Sequence, residues 1–202
     1  TQKTMQPFVL AIVGRPNVGK STLVNQLVGD KVAITSPVAQ TTRNRLRAIL
    51  TTPTAQLILV DTPGIHKPHH LLGERLVQSA RAAIGEVDQV LLLLEGHQPP
   101  GRGDAFIVNL LRQQRLPVQV VLNKWDLVPV DRKPEADAAY RALLADTEWP
   151  VHHCSALDGA GCPELVSAIS ALMPEGPRLY PAEMVSDQPE RLLMAELIRE
   201  QV

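Results

Sequence analysis

Aromatic residues are scarce in this sequence: two Phe, two Trp and two Tyr make up 3% of its 202 residues. Few platforms remain on which single-stranded bases could stack. If RNA concerns this protein, another part of it is expected to do the gripping. The two cysteines, Cys154 and Cys162, are too few for a disulfide framework in a chain of this size and fit a reducing cytoplasm. Charge is nearly balanced, and a net −1 argues against a broadly basic, nucleic-acid-coating surface. The longest aliphatic run, Val90–Leu94, is far too short to cross a bilayer. Thr1–Gln6 does not follow the basic-then-apolar plan of a signal peptide. A hydrophobic content of 45% is ordinary for a globular protein, and the length suffices for one α/β domain with a full core and a short appendage.

Phe8–Val13 is an apolar run ending at Gly14, which predicts a buried strand entering a glycine turn. Beyond Ser21, Leu23, Val24 and Leu27 recur at helical spacing as far as Gly29, a fitting stop. Arg45–Leu50 and Leu57–Val60 read as two strands joined by a turn at Thr51–Thr54. Asp88–Leu94, Val118–Leu122 and Val151–Cys154 read as three more, with helices expected near Leu72–Ile84, Asp104–Arg112, Pro134–Leu144 and Pro163–Leu172. This alternation predicts a three-layer α/β fold, a six-stranded, mostly parallel sheet with helices on both faces. Ligands of such sheets bind beyond the carboxyl ends of the strands. Past Leu172, Pro174, Gly176, Pro177 and Pro181 interrupt the pattern, so Met173–Asp187 reads as a linker and Pro189–Gln201 as a helix.

The segment Gly14-Arg-Pro-Asn-Val-Gly-Lys-Ser21 has the spacing of a phosphate-binding loop. Glycines let backbone N–H groups turn inward around phosphates, and the following helix presents its positive end. Lys20 is expected to reach the terminal phosphates and Ser21 to ligate magnesium. Asp61-Thr-Pro-Gly64 follows a buried run; alone it is as readily a plain turn. Behind a phosphate loop, Asp61 is placed to hold magnesium and Gly64 to offer its N–H to a γ-phosphate.

Asn123-Lys-Trp-Asp126 follows the strand Val118–Leu122. The Asp126 carboxylate only accepts hydrogen bonds, which suits the two donors on the guanine edge and leaves adenine unmatched. The Lys124 stem is expected over the base face, with Asn123 tying this loop to the phosphate loop. Ser155-Ala156 alone is an ordinary helix lead-in, but its place after the next strand suits a backbone N–H to the guanine carbonyl. The segments together predict a GTP site.

With these residues in view, the chain resembles the translation-factor-related GTPases, and most closely the Era family of ribosome-assembly GTPases. Gly14–Thr22, Gln40-Thr-Thr-Arg43 and Asp61-Thr-Pro-Gly-Ile-His-Lys-Pro68 carry the likeness. These motifs are shared with relatives such as the tRNA-modifying TrmE group. The tail, Ser186-Asp-Gln-Pro-Glu-Arg191 running into Ala195-Glu-Leu-Ile-Arg-Glu200, is the more specific part. The likeness spans essentially the whole chain. It implies a P-loop GTPase fold that binds GTP or GDP with Mg2+ through Asn17, Val18, Gly19, Lys20, Ser21, Thr22, Asp61, Gly64, Asn123, Lys124, Asp126, Ser155 and Ala156. It also implies a mobile switch threonine, for which Thr41 and Thr42 are candidates; Thr42 holds the matching place and joins Ser21 and Asp61 at the metal. Lys20, Thr42, Gly64 and Asn17 are the expected catalytic set. A second switch would run from Asp61 to about His70, where His66, His69 and His70 read as part of a solvated loop rather than a metal cluster. His152, His153, Cys154 and Cys162 likewise do not make a complete zinc pattern. Ile65 stands where Ras-like enzymes orient water with glutamine, so intrinsic hydrolysis is expected to be slow. Asparagine at position 17 is associated in relatives with a bound potassium ion acting like an arginine finger.

The resemblance also implies small-subunit assembly through 16S rRNA, bound by a KH domain whose Gly-x-x-Gly clamp this sequence does not contain. Residues 1–173 are thus expected to form the GTPase domain, and 174–202 a linker and the start of a truncated KH domain. A cytoplasmic monomer, with peripheral association at the inner face of the cell membrane, is implied by the family alone. The competing readings are a related GTPase of tRNA modification or large-subunit assembly, an adenine-nucleotide kinase or motor, and a nucleotide-binding scaffold without turnover. Asn123–Asp126 weighs against the adenine reading, and Lys20, Ser21, Asp61 and Gly64 against the scaffold.

Overall fold

The computed structural model describes residues 8–29, 46–61, 78, 81, 82, 84, 87–174, 180, 181 and 185. Six strands form one sheet in the order β2-β3-β1-β4-β5-β6. They are β1 (Val9–Gly14), β2 (Leu46–Thr51), β3 (Gln56–Asp61), β4 (Gln89–Glu95), β5 (Val118–Asn123) and β6 (Val151–His153). β1 pairs in parallel with β3 and β4, β4 with β5 and β5 with β6, while β2 runs antiparallel to β3. The β2–β3 hairpin turns at Thr52–Ala55, where the Thr52 N–H donates to the Ala55 carbonyl at 2.8 Å.

Residue alternation divides the core between two faces. Leu10 and Ile12 of β1 and Leu91 and Leu93 of β4 pack with Leu23 and Val24 of helix α1 (Lys20–Val28) and Leu165 and Ile169 of α4 (Cys162–Ser170). Ala11, Val13, Leu92 and Leu94 point the other way, against Ile107 and Leu111 of α2 (Arg102–Arg112) and Tyr140 of α3 (Lys133–Leu143). The result is three layers, as the alternation predicts.

Several boundaries differ from the sequence reading. Helix α2 starts two residues before Asp104, because the Asp104 carboxylate reaches back to accept the Gly101 N–H at 2.8 Å and closes the first turn. Of the expected helix Leu72–Ile84, Gln78, Arg81, Ala82 and Ile84 are helical and the rest lies outside the described residues. The Pro189–Gln201 segment also lies outside them. Two residues of the expected linker are fastened to the sheet. The Gln56 side chain donates to the Tyr180 carbonyl and accepts its N–H, both at 3.0 Å. The Ile49 N–H donates to the Val185 carbonyl at 2.9 Å, and the Val185 side chain packs against the α1/α4 core. Among the described residues no helix is long and apolar enough to cross a membrane.

Registry brings the carboxyl ends of five strands to one edge: Ile12 lies beside Asp61, Gly14 beside Leu93, Glu95 beside Asn123 and Leu122 beside His153. The candidate site sits on that edge.

Candidate nucleotide site

The chain leaves β1 at Gly14 and enters α1 at Lys20, so residues 15–19 form the connecting loop. Gly19 has φ 103°, and a Cβ there would overlap the Asn123 amide nitrogen. Glycine is therefore required both for its backbone conformation and for the room it leaves. Behind the loop, the first turn of α1 presents N–H groups that the helix itself does not use. Lys20 and Ser21 are buried there. The Lys20 ammonium donates to the carbonyls of Gly14 at 3.3 Å and Arg15 at 2.8 Å. A cation is thus held at the mouth of a loop of backbone donors, which suits an anion.

Asn123, at the end of β5, is buried and bonds at both ends of its amide. Its Nδ2 donates to the Val18 carbonyl at 2.8 Å, and its Oδ1 accepts the Ala156 N–H at 3.0 Å. One side chain therefore joins three separate segments that the sequence marked, residues 14–21, 123–126 and 155–156. Ser155-Ala156 is expected to offer a backbone N–H to a guanine carbonyl; in this structure the Ala156 N–H is spent on Asn123 and the Ser155 N–H donates to the Ala160 carbonyl at 2.9 Å. The Ser155 hydroxyl is buried and without a hydrogen-bond partner among the described residues.

Lys124 takes the left-handed conformation, φ 58°, and its ammonium donates to the Asn17 carbonyl at 3.0 Å. The same ammonium is paired with the Glu95 carboxylate. Asp126 is exposed in the short turn Trp125–Leu127. That turn is anchored by the Trp125 N–H, which donates to the Cys154 carbonyl at 3.1 Å. Trp125 packs on His153 with ring centres 4.4 Å apart, and it lies so close over Gly96 that a Cβ there would come 2.9 Å from the indole.

The other histidines and cysteines of this edge are engaged locally. His152 Nε2 lies 2.7 Å from Gln119 Oε1, and His153 Nε2 lies 2.7 Å from Asp137 Oδ1. Burial, and the neighbouring His153, push the His152 ring toward its neutral form. Cys154 and Cys162 are free and buried. Thr41, Thr42, Gly64, Ile65, His66, His69 and His70 lie outside the described residues, as does the side chain of Asp61. The backbone of Asp61 ends β3 beside Ile12, two residues short of the loop at Gly14.

A family model described as 50S ribosome-binding GTPase matches residues 9–124. GTPase Era of Synechocystis sp. is 57% identical over 193 residues, which is 96% of this chain and 61% of that relative. A crystal structure of Era in complex with MgGDPNP and nucleotides 1506–1542 of 16S ribosomal RNA is similar at TM-score 0.88 and 39% identity, over 98% of this chain and 67% of that one. The chain belongs to the Era family of GTPases. A variant of Aquifex aeolicus Era bound to GDP and AlF4− is similar at TM-score 0.86 and 38% identity, again over 98% of this chain and 67% of that one. This Era-family chain spans about three fifths of the length of the curated relatives it matches.

Sequence reasoning missed four residues of this Era-family site: Glu95, Tyr140, Asp104 and Gly96. Tyr140, buried on α3, donates its hydroxyl to the carbonyls of Glu95 and Gln98 at 2.8 Å each. Burial and the nearby Asp104 carboxylate push that hydroxyl well above its ordinary range, so it stays a neutral donor. Asp104, buried at the start of α2, pairs with Arg15 of the phosphate loop at 3.2 Å. A signal for Glu95 was present. It is a charged residue closing the apolar run Val90–Leu94, the feature that singled out Asp61 after Leu57–Val60.

Proposed function

We propose that this Era-family chain binds GTP and hydrolyses it to GDP and phosphate as a molecular switch. The observation that carries the reading is the Asn123 amide, which couples a phosphate-type loop at Val18 to a base-type loop at Ala156. In this reading Lys20 swings from the Gly14 and Arg15 carbonyls to the terminal phosphates, whose negative charge is the stronger partner. The N–H groups of Asn17, Val18, Gly19, Lys20, Ser21 and Thr22 bracket the α- and β-phosphates. Asp126 reads the guanine edge, Lys124 covers the base face, and the Ser155–Ala156 loop, with its buried hydroxyl, closes the far side.

Magnesium fits the donor set. The buried Ser21 hydroxyl, the Asp61 carboxylate at the end of β3 and the Thr42 hydroxyl are hard oxygen ligands of the kind that ion takes. When bound, magnesium offsets charge on the phosphate oxygens. Water attacks the γ-phosphate in line while Lys20 and the Gly64 N–H stabilise the spreading charge. We assign no general base. Ile65 cannot orient water by hydrogen bonding, so slow intrinsic turnover is expected. Asn17, exposed and with its carbonyl held by Lys124, would use its side-chain oxygen to ligate potassium beside the phosphates. Phosphate release faster in potassium than in sodium, and loss of that difference in Asn17→Ala, is the expected outcome. Equal rates in the two salts would reject the potassium role.

The related Era structure with 16S ribosomal RNA supports a role in small-subunit assembly. In this reading residues 1–173 form the GTPase domain, and 174–202 a linker and the start of a KH domain. The decisive test of the base assignment is Asp126→Asn, assayed with GTP and xanthosine triphosphate. The new amide can donate to the extra xanthine carbonyl, so preference should move to xanthine by ~10²-fold or more. An unchanged preference would overturn guanine readout.

A further inference from the structure

We propose that Glu95 is a positioning residue for the guanine base, acting through Lys124; this rests on the guanine-site reading above. The Lys124 ammonium has two fixed acceptors, the Asn17 carbonyl in the phosphate loop and the Glu95 carboxylate at the end of β4. With the ammonium held at both, the four-carbon stem is confined to one path between the loops. Lysine otherwise loses much rotamer freedom on ordering, and a clamp already present in the free protein removes that cost from nucleotide binding.

Glu95 is itself held firmly enough to act as a clamp. Its carbonyl accepts the Tyr140 hydroxyl at 2.8 Å, and the next residue, Gly96, donates its N–H to the Asn123 carbonyl at 2.8 Å. Its Cα is in register with that of Asn123 across the β4–β5 ladder. Its side chain is only 19% exposed, so the pair with Lys124 is shielded more than an ordinary surface ion pair. His97 Nε2 lies 3.9 Å from the same carboxylate oxygen. Glu95 therefore connects the core of α3 to the base-covering lysine without occupying the base pocket.

The test is a double-mutant cycle in GDP and IDP affinity, using Glu95→Gln, Lys124→Ala and the pair, with melting temperature as a folding control. Glu95→Gln should weaken GDP by about tenfold, the scale of one charge-assisted hydrogen bond. It should weaken IDP by the same factor, because the base face rather than the exocyclic amine is affected. In the Lys124→Ala background the same substitution should cost nothing further. Additive losses, or unchanged GDP affinity in a folded Glu95→Gln protein, would overturn the inference. If Glu95→Gln does not fold, Glu95→Asp serves in its place. Its shortened carboxylate should weaken both nucleotides in the wild-type background alone, and a loss that persists without Lys124 rejects the clamp. Failure of the wild-type protein to bind GDP would instead remove the guanine-site reading itself.

Discussion

A methyl group at position 19 would collide with the Asn123 amide and hold an L-residue at φ 103°. Such a backbone conformation costs on the order of 1–3 kcal/mol, and each hydrogen bond lost around Asn123 adds about 1 kcal/mol. Gly19→Ala is therefore expected to lower the melting temperature by several degrees and to weaken GDP by at least ~10²-fold, because phosphate and base loops lose their common tie. Calorimetric titration alongside a thermal melt checks both; a variant that melts normally and binds GDP normally contradicts the steric account. Asn123 was legible as a motif residue because Lys124 and Asp126 complete one contiguous pattern with it after an apolar run. Glu95 was not, because what gives it meaning is Lys124, 29 positions away, and a lone acid after an apolar strand names no partner.

Among the elements, the strands were the most legible. Their two-residue alternation matches the two clusters they fill, and the apolar runs at β4 and β5 announce strands covered on both faces. Helix starts were less legible, since Asp104 extends α2 by reaching back across three residues, which periodicity alone does not reveal. The stretch after α4 was hidden for a different reason. Proline and glycine signal an irregular path but say nothing about where it docks. Here a single amide, Gln56 at the start of β3, grips the backbone of Tyr180 in both directions and also donates to Thr51 at 3.0 Å. Gln56→Ala should cost about 1–2 kcal/mol and speed amide exchange at Tyr180. Hydrogen exchange read by mass spectrometry would detect this; an unchanged rate in the peptide carrying Tyr180 would show that the clamp does not hold that segment.

At the scale of the whole molecule, the sheet order places the phosphate-type loop at the end of the inner strand β1 and the two base-type segments at the ends of β5 and the border strand β6, with β2 at the opposite border. β2 opens at Leu46, just after the expected switch threonines, and β3 closes at Asp61, where the second expected switch begins. The antiparallel β2–β3 hairpin thus links the two segments in the sequence. Its outer border is also where the chain returns, through Ile49 and Val185. A border strand with free N–H and carbonyl groups invites pairing with another chain. A protein cut after Pro174 would lose both the backbone bond at Ile49 and the Val185 side chain over the α1/α4 core. It should still bind GDP, yet self-associate with rising concentration, which sedimentation of the cut and uncut proteins would reveal; equal, monomeric behaviour would contradict it. The segment that reads as a connector is, on this view, what keeps the sheet from finding a neighbour.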